Sequence, residues 1–174
     1  MRYTSTRSTQ DLASAEAISR GIAADGGLFV PENFPAVSPE LAEELVSSSY
    51  RERAEKILGT YLTDFTSEEI RSCVKNAYTG TFENEEPAPL RKVSDKMHLL
   101  ELWHGPTCAF KDLALQLLPH LLTASVSKTS PGKTIVILVA TSGDTGKAAL
   151  EGFADVKDTR IVVFFPRDGV SDMQ

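Results

Sequence analysis

The sequence predicts an α/β protein: a mostly helical N-terminal cap followed by the start of a parallel sheet with helices between its strands. Three observations predict it. Helix start signals recur between residues 38 and 69. A charged, proline-bearing stretch, FENEEPAPLRKVSD, follows at 82–95. Beyond it, short apolar runs alternate with helical patterns, the signature of strands joined by crossover helices. We therefore expect two domains, 1–85 and 86–174, the second an incomplete sheet.

The elements follow in order. MRYTSTRST alternates weakly and reads as a first strand. DLASAEAISRGIAADGGLFVPENFP reads as a short helix, a Gly-Gly turn and a brief apolar segment closed by prolines. Ser38 before Pro39 has the form of an N-cap followed by proline at the first helical position. Between 49 and 62 a helix carries Ile57, Leu58, Tyr61 and Leu62. Thr66 and Glu69 have capping-box spacing, and behind them Ile70, Cys73, Val74 and Ala77 fall on one helical face. In the second half MHLLELW, TIVILVAT and RIVVFFP read as buried parallel strands. DLALQLLPHLLTASV and GKAALEGFADV are the helices between them, the first kinked at Pro119.

Composition narrows the function classes. With 174 residues, 41% apolar and 24% charged, the chain has the make-up of a soluble globular protein. A net charge of −6 argues against nucleic acid or an anionic membrane as partner. No apolar run reaches the roughly 20 residues of a membrane span, and the polar start lacks a signal-peptide core. Two cysteines, Cys73 and Cys108, with no CxxC, argue against a disulfide framework and a structural zinc site, so a cytoplasmic protein without a bound metal is expected.

Two segments carry candidate chemistry. In ELWHGPTCAFKDLALQLL, residues 101–118, Lys111 and Asp112 stand between two apolar runs. A buried lysine is costly unless paired or chemically engaged, although a lysine at such a turn ordinarily points its amine into solvent. Asp112 fits a structural role, capping or charge-balancing the first turn of the helix that follows. His104 fits a hydrogen-bonded structural histidine, Cys108 small packing, and Trp103 core or pocket wall. In TIVILVATSGDTGKAALEGF a strand runs through Ser142-Gly143-Asp144-Thr145-Gly146 straight into a helix, which makes an anion site from free N–H groups and the helix dipole. The loop is not a P-loop, because Thr141 stands where the first glycine belongs and Ala148 where Ser or Thr belongs. Nor is it G-x-G-x-x-G; a plain strand-to-helix turn remains the alternative.

Together these segments resemble one family. YTSTR, GIAADGGLFVPENFP, ELWHGPTCAFKD, ATSGDTGKAALEGF and VVFFPRDGVSDMQ, in this order along the chain, are similar to the N-terminal part of threonine synthases. These are pyridoxal-phosphate (PLP) enzymes of the tryptophan-synthase β fold, or fold type II. The resemblance implies a three-layer α/β/α parallel sheet, here truncated, behind a mostly helical N-terminal domain. It implies PLP as cofactor and Lys111 as the catalytic lysine that bonds to it, with Phe110 and Asp144 at the cofactor. It implies Thr107, Thr141, Ser142, Gly143 and Thr145 at the substrate; Lys147 is placed for an anion or, equally, is a solvated helix residue. Wider relatives carry Asn where Asp144 stands, so the role of Asp144 stays open.

The reaction implied converts O-phospho-L-homoserine and water to L-threonine and phosphate, the last step of threonine biosynthesis. Free between steps, Lys111 would serve as a base. The partner is then the small-molecule substrate, in a monomer or homodimer when full length. Family members continue for several hundred residues, and the loop for the PLP phosphate lies in that further part. The 174 residues alone are thus expected to be inactive. Two alternatives stay open: a threonine-synthase-like phospho-lyase giving 2-oxobutyrate, and a non-catalytic fragment or binding module.

Overall fold

A computed structural model describes residues 1–141 and 143–171, and these divide into two compact units. The first comprises 1–75 and 121–133; the second comprises 76–120 and 134–171.

The first unit is helical around a small antiparallel pair. Strand β1 (Tyr3–Ser5) pairs with β2 (Phe29–Pro31), and α1 (Ser14–Arg20) lies between them in sequence. Ala13 offers α1 no side-chain cap. The Asp64 carboxylate does so instead, accepting from the Ala15 amide at 3.0 Å and from both the amide and the hydroxyl of Ser14. Burial works against the Asp64 charge, but these bonds prevail and hold its pKa below the usual carboxylate value.

Local signals set the next three helices. Ser38 caps α2 (Pro39–Ser47) by accepting from the Leu41 amide, with Pro39 in the first turn. Ser49 and Glu52 close a capping box on α3 (Tyr50–Tyr61), and Thr66 and Glu69 exchange the same two bonds at α4 (Ser67–Tyr78). The face predicted for α4 is the buried one: Ile70, Cys73, Val74 and Ala77 are all at most 5% exposed. The stretch 121–133 joins this unit through Lys128, whose ammonium lies 2.8 Å from Glu69 and over the Phe65 ring.

In the second unit the linker and the first predicted strand both need correction. Residues 90–94 form β3 (Leu90–Ser94), and β4 (Met97–Leu100) pairs with it antiparallel, with a register shift between Lys92 and Ser94. MHLLELW is therefore one arm of a hairpin, exposed along both strands, and not a buried parallel strand. An apolar run alone does not tell these two apart. Pro119 does not kink one helix but separates two: α5 (Asp112–Leu115) ends before it, and α6 (Leu118–Thr129) carries it in its first turn, where its missing N–H costs nothing.

The α/β part is as expected in topology. Strand β5 (Ile135–Ala140) and β6 (Thr159–Phe164) are parallel and in continuous register, with α7 (Asp144–Phe153) as the crossover. Burial differs from the expectation: alternate residues, Val136, Leu138, Val162 and Phe164 among them, are exposed. The other face is half covered by α7. Gly146 lets that helix settle onto the sheet, since a Cβ there would stand 2.4 Å from the Thr141 methyl and 2.8 Å from Val163. No described helix is long and apolar enough to cross a membrane.

Candidate active site

The turn at 104–108 is built from both sides. Gly105 O accepts from Cys108 N at 3.1 Å, and Cys108 takes φ 58°, the left-handed region uncommon for non-glycine residues. Cys108 is exposed, so it is not the small packing residue expected, and Trp103 is 47% exposed and so not core. Asp112, 1% exposed, closes the turn from beneath. Its Oδ2 accepts from the Thr107 amide at 2.9 Å and its Oδ1 from the Thr107 hydroxyl at 2.7 Å. A Cβ on Gly105 would stand 2.5 Å from the Asp112 carboxylate, so only glycine lets the turn approach this closely.

Of the two roles expected of Asp112, capping is corrected, while its place as the acidic residue of the first turn is as expected. Lys111 is the N-cap of α5, already in the α region at φ −66° and ψ −19°, and its side chain makes no capping bond. Asp112 thus lies inside the helix and bonds backward to Thr107.

Lys111 sits at the open end of the turn. It is half-buried, less enclosed than its apolar neighbours in sequence suggest. Its Nζ lies 4.1 Å from the centroid of the Phe110 ring, itself 59% exposed, and no carboxylate pairs with it among the described residues. A cation–π contact at such an exposed place is worth about 0.5–1 kcal/mol. The amine is positioned but not locked.

Beside the turn, His104 is clamped between two carboxylates. Its Nδ1 lies 2.9 Å from Glu83 and its Nε2 2.8 Å from Glu101, which in turn has Arg91 at 3.6 Å. Hydrogen bonds from Glu83 and Glu101 raise the His104 pKa above its ordinary value, against a desolvation that lowers it. The histidine is hydrogen-bonded, as expected. The carboxylates were not foreseen: Glu83 is 21 residues away, and only the three-residue spacing of Glu101 carries a sequence signal.

The glycine loop opens on a cavity of about 400 Å³ lined by Thr107, Thr141, Gly143, Gly146, Lys147, Leu150, Glu151, Val163, Phe165 and Val170. Gly143 is the N-cap of α7 with φ 150°, and its amide donates to the Thr141 hydroxyl at 3.3 Å. Asp144 and Thr145 open the first turn of α7, and Gly146 N donates to Gly143 O at 2.9 Å. Of the expected site residues, the structure brings Thr107, Thr141, Gly143 and Lys147 to this cavity; Lys111, Phe110, Asp144 and Thr145 are not in its wall. Ser142 lies outside the described residues. Val163 of β6 and Phe165 just after its end complete the wall, a contribution the linear motif did not reveal.

A family model described as the threonine synthase N terminus matches residues 2–78. Threonine synthase from Pseudomonas aeruginosa is 39% identical over 176 aligned residues, which take in 100% of this chain. The structure superimposes on PLP-bound threonine synthase from Brucella melitensis with a TM-score of 0.92 and 36% identity, over 99% of this chain. The chain belongs to the threonine synthase family. It corresponds to the N-terminal part of its members, since it covers 37% of both the Pseudomonas protein and the Brucella structure. The mouse protein named "Threonine synthase-like 1" is also similar, 43% identical over 168 residues, 92% of this chain and 22% of that protein. Among the described residues of this threonine synthase family chain, no cluster of His, Cys, Asp or Glu could hold a metal ion.

Proposed function

We propose that the chain contributes the lysine and the substrate-anion loop of a PLP-dependent threonine synthase, which converts O-phospho-L-homoserine and water to L-threonine and phosphate. The observation that carries this reading is one cavity wall shared by Thr107, four residues before Lys111, and Gly143 at the start of α7. Family membership supports it, as does the PLP in the Brucella relative.

The residues present fit the cofactor. Lys111 offers an amine without an ion-pair partner among the described residues, beside the Phe110 ring, where an aldehyde can reach it. PLP, when bound, supplies an electron sink for the carbon next to the substrate amine. The chain's own groups do the rest. Lys111 takes and returns the proton at that carbon and its neighbour. Thr141, Ser142, Gly143 and Thr145, with the first turn of α7, bind the substrate carboxylate, and Lys147 adds positive charge to the cavity. Asp144 would contact the cofactor, its role open.

We also assign residues 1–85 to the family's N-terminal domain and 86–174 to the start of its catalytic α/β domain, supported by the family match ending at 78. Residues 1–174 by themselves do not turn over, a reading supported by the 37% they cover of the Pseudomonas relative. The working protein is cytoplasmic, a monomer or homodimer. A second reading, a threonine-synthase-like protein with a different product, is kept beside this one by the similarity to "Threonine synthase-like 1", and product analysis separates the two.

The test is borohydride reduction of the full-length, PLP-loaded protein, followed by peptide mapping. The pyridoxyl group is expected on Lys111 and lost in Lys111→Ala. A label centred on Lys133 or Lys147 refutes the assignment.

A further inference from the structure

We infer that Asp112 is a positioning residue that makes the Thr107 side of the cavity accept hydrogen bonds and donate none, so that the ligand places a donor there and not an oxyanion. The inference rests on the substrate site proposed above and assigns polarity within it.

The donors at Thr107 and its two chain neighbours are accounted for one by one. Pro106 has no N–H. The Thr107 amide is given to Asp112 Oδ2 and the Thr107 hydroxyl proton to Asp112 Oδ1. The Cys108 amide is given to Gly105 O. Both Asp112 oxygens therefore face donors, and at 1% exposure no water competes for them. What Thr107 leaves to the cavity is a methyl group and the hydroxyl lone pairs. A phosphate or carboxylate set against Thr107 would meet oxygen with oxygen. An ammonium or hydroxyl would find an acceptor.

The other wall has the opposite character. Lys147 and the N-terminal turn of α7 favour negative charge, with Glu151 one turn further along. The cavity thus suits a ligand with an anion at one end and a donor at the other. A free amino acid or its phosphate ester has that form; inorganic phosphate has only the first half.

The geometry makes a specific forecast for Asp112→Asn. The amide oxygen can keep the Thr107 amide, and its NH₂ then faces the Thr107 oxygen, which must accept. The Thr107 proton is released to the cavity, and this wall begins to donate.

Binding of inorganic phosphate and of O-phospho-L-homoserine to the chain, followed by backbone amide shifts in NMR, tests this. Thr107→Val should weaken the phosphate ester about threefold to tenfold, the worth of one hydrogen bond, and leave inorganic phosphate within about twofold. Thr107→Ser should restore the ester. Asp112→Asn should tighten inorganic phosphate by a similar factor, and the gain should vanish in Asp112→Asn/Thr107→Val. If Thr107→Val weakens both probes equally, or a folded Asp112→Asn leaves phosphate unchanged, the inference is wrong. If the unaltered chain binds neither probe, the proposed anion site fails, and hydrogen exchange decides the polarity alone. A slow Thr107 amide that turns fast in Asp112→Ala upholds it, and a fast one in the unaltered chain overturns it.

Discussion

Replacing Gly152 by alanine should destabilise the protein, although alanine is the better helix former. Gly152 faces α5 from within α7, and a Cβ there would lie 2.2 Å from the Leu115 carbonyl oxygen and 2.9 Å from its carbon. Both obstacles are backbone, so no side chain can turn away. Ordinary contact begins near 3.4 Å. The two helices must therefore part by about 1 Å, and overpacking of this kind costs roughly 1–3 kcal/mol, with the upper half expected against backbone. Alanine returns about 1 kcal/mol of helix propensity. The net loss is about 1–2 kcal/mol, a fall in Tm of roughly 2–8 °C for a chain of this size. Gly59, inside α3, is the control: a Cβ there meets nothing within 4 Å. Gly59→Ala should raise stability by up to about 1 kcal/mol. Urea and thermal unfolding followed by circular dichroism measure both. If Gly152→Ala is as stable as the parent, or the two substitutions shift the midpoint in the same direction, the α5–α7 approach is not as close as described.

Two more outcomes follow from titratable groups. Because Glu83 and Glu101 raise the His104 pKa, the clamp stabilises fully below the unfolded value of about 6.5 and fades as pH rises through the raised folded value. An imidazole NMR titration should place His104 above 6.5, and His104→Gln should remove that part of the pH dependence of unfolding; a midpoint below 6.5 contradicts the clamp. Burial, with Glu69 adding to it, pushes the Cys73 thiol up to about 11, whereas Cys108 is exposed. A thiol reagent at neutral pH should thus modify Cys108 and reach Cys73 only on unfolding, and two equally fast thiols would contradict the buried α4 face.

How much of this could be read from the sequence depends on how far apart the partners are. The starts of α2, α3 and α4 are fixed by residues within three positions of each other, so Ser38, Ser49 with Glu52, and Thr66 with Glu69 are legible in one line of text. The α1 cap is not legible, because Asp64 lies 50 residues from Ser14. Strand β3 was concealed by its charges: Arg91 and Lys92 belong to an exposed hairpin, where polar side chains cost nothing. Asp112 misled for a different reason. The helical turn begins with Ala109 and Lys111, one step earlier than the usual cap pattern suggests, and this carries Asp112 inside and under Thr107.

The glycine loop shows how one motif can hide two separate physical demands. In the sequence, Gly143 and Gly146 read as a single flexible turn. In the fold Gly143 supplies the φ of 150° that lets the chain leave β5 and enter α7. Gly146 is already helical, and its need is for space against Thr141 and Val163. The first glycine shapes the mouth of the cavity; the second sets how near α7 lies to the strand ends, and so how deep the cavity is. A side chain at Gly146 would lift the helix and carry Lys147 with it. The spacing of the two glycines therefore matters as much as their flexibility, since it places the turn and the packing contact on either side of the α7 N-terminus, where an anion would bind.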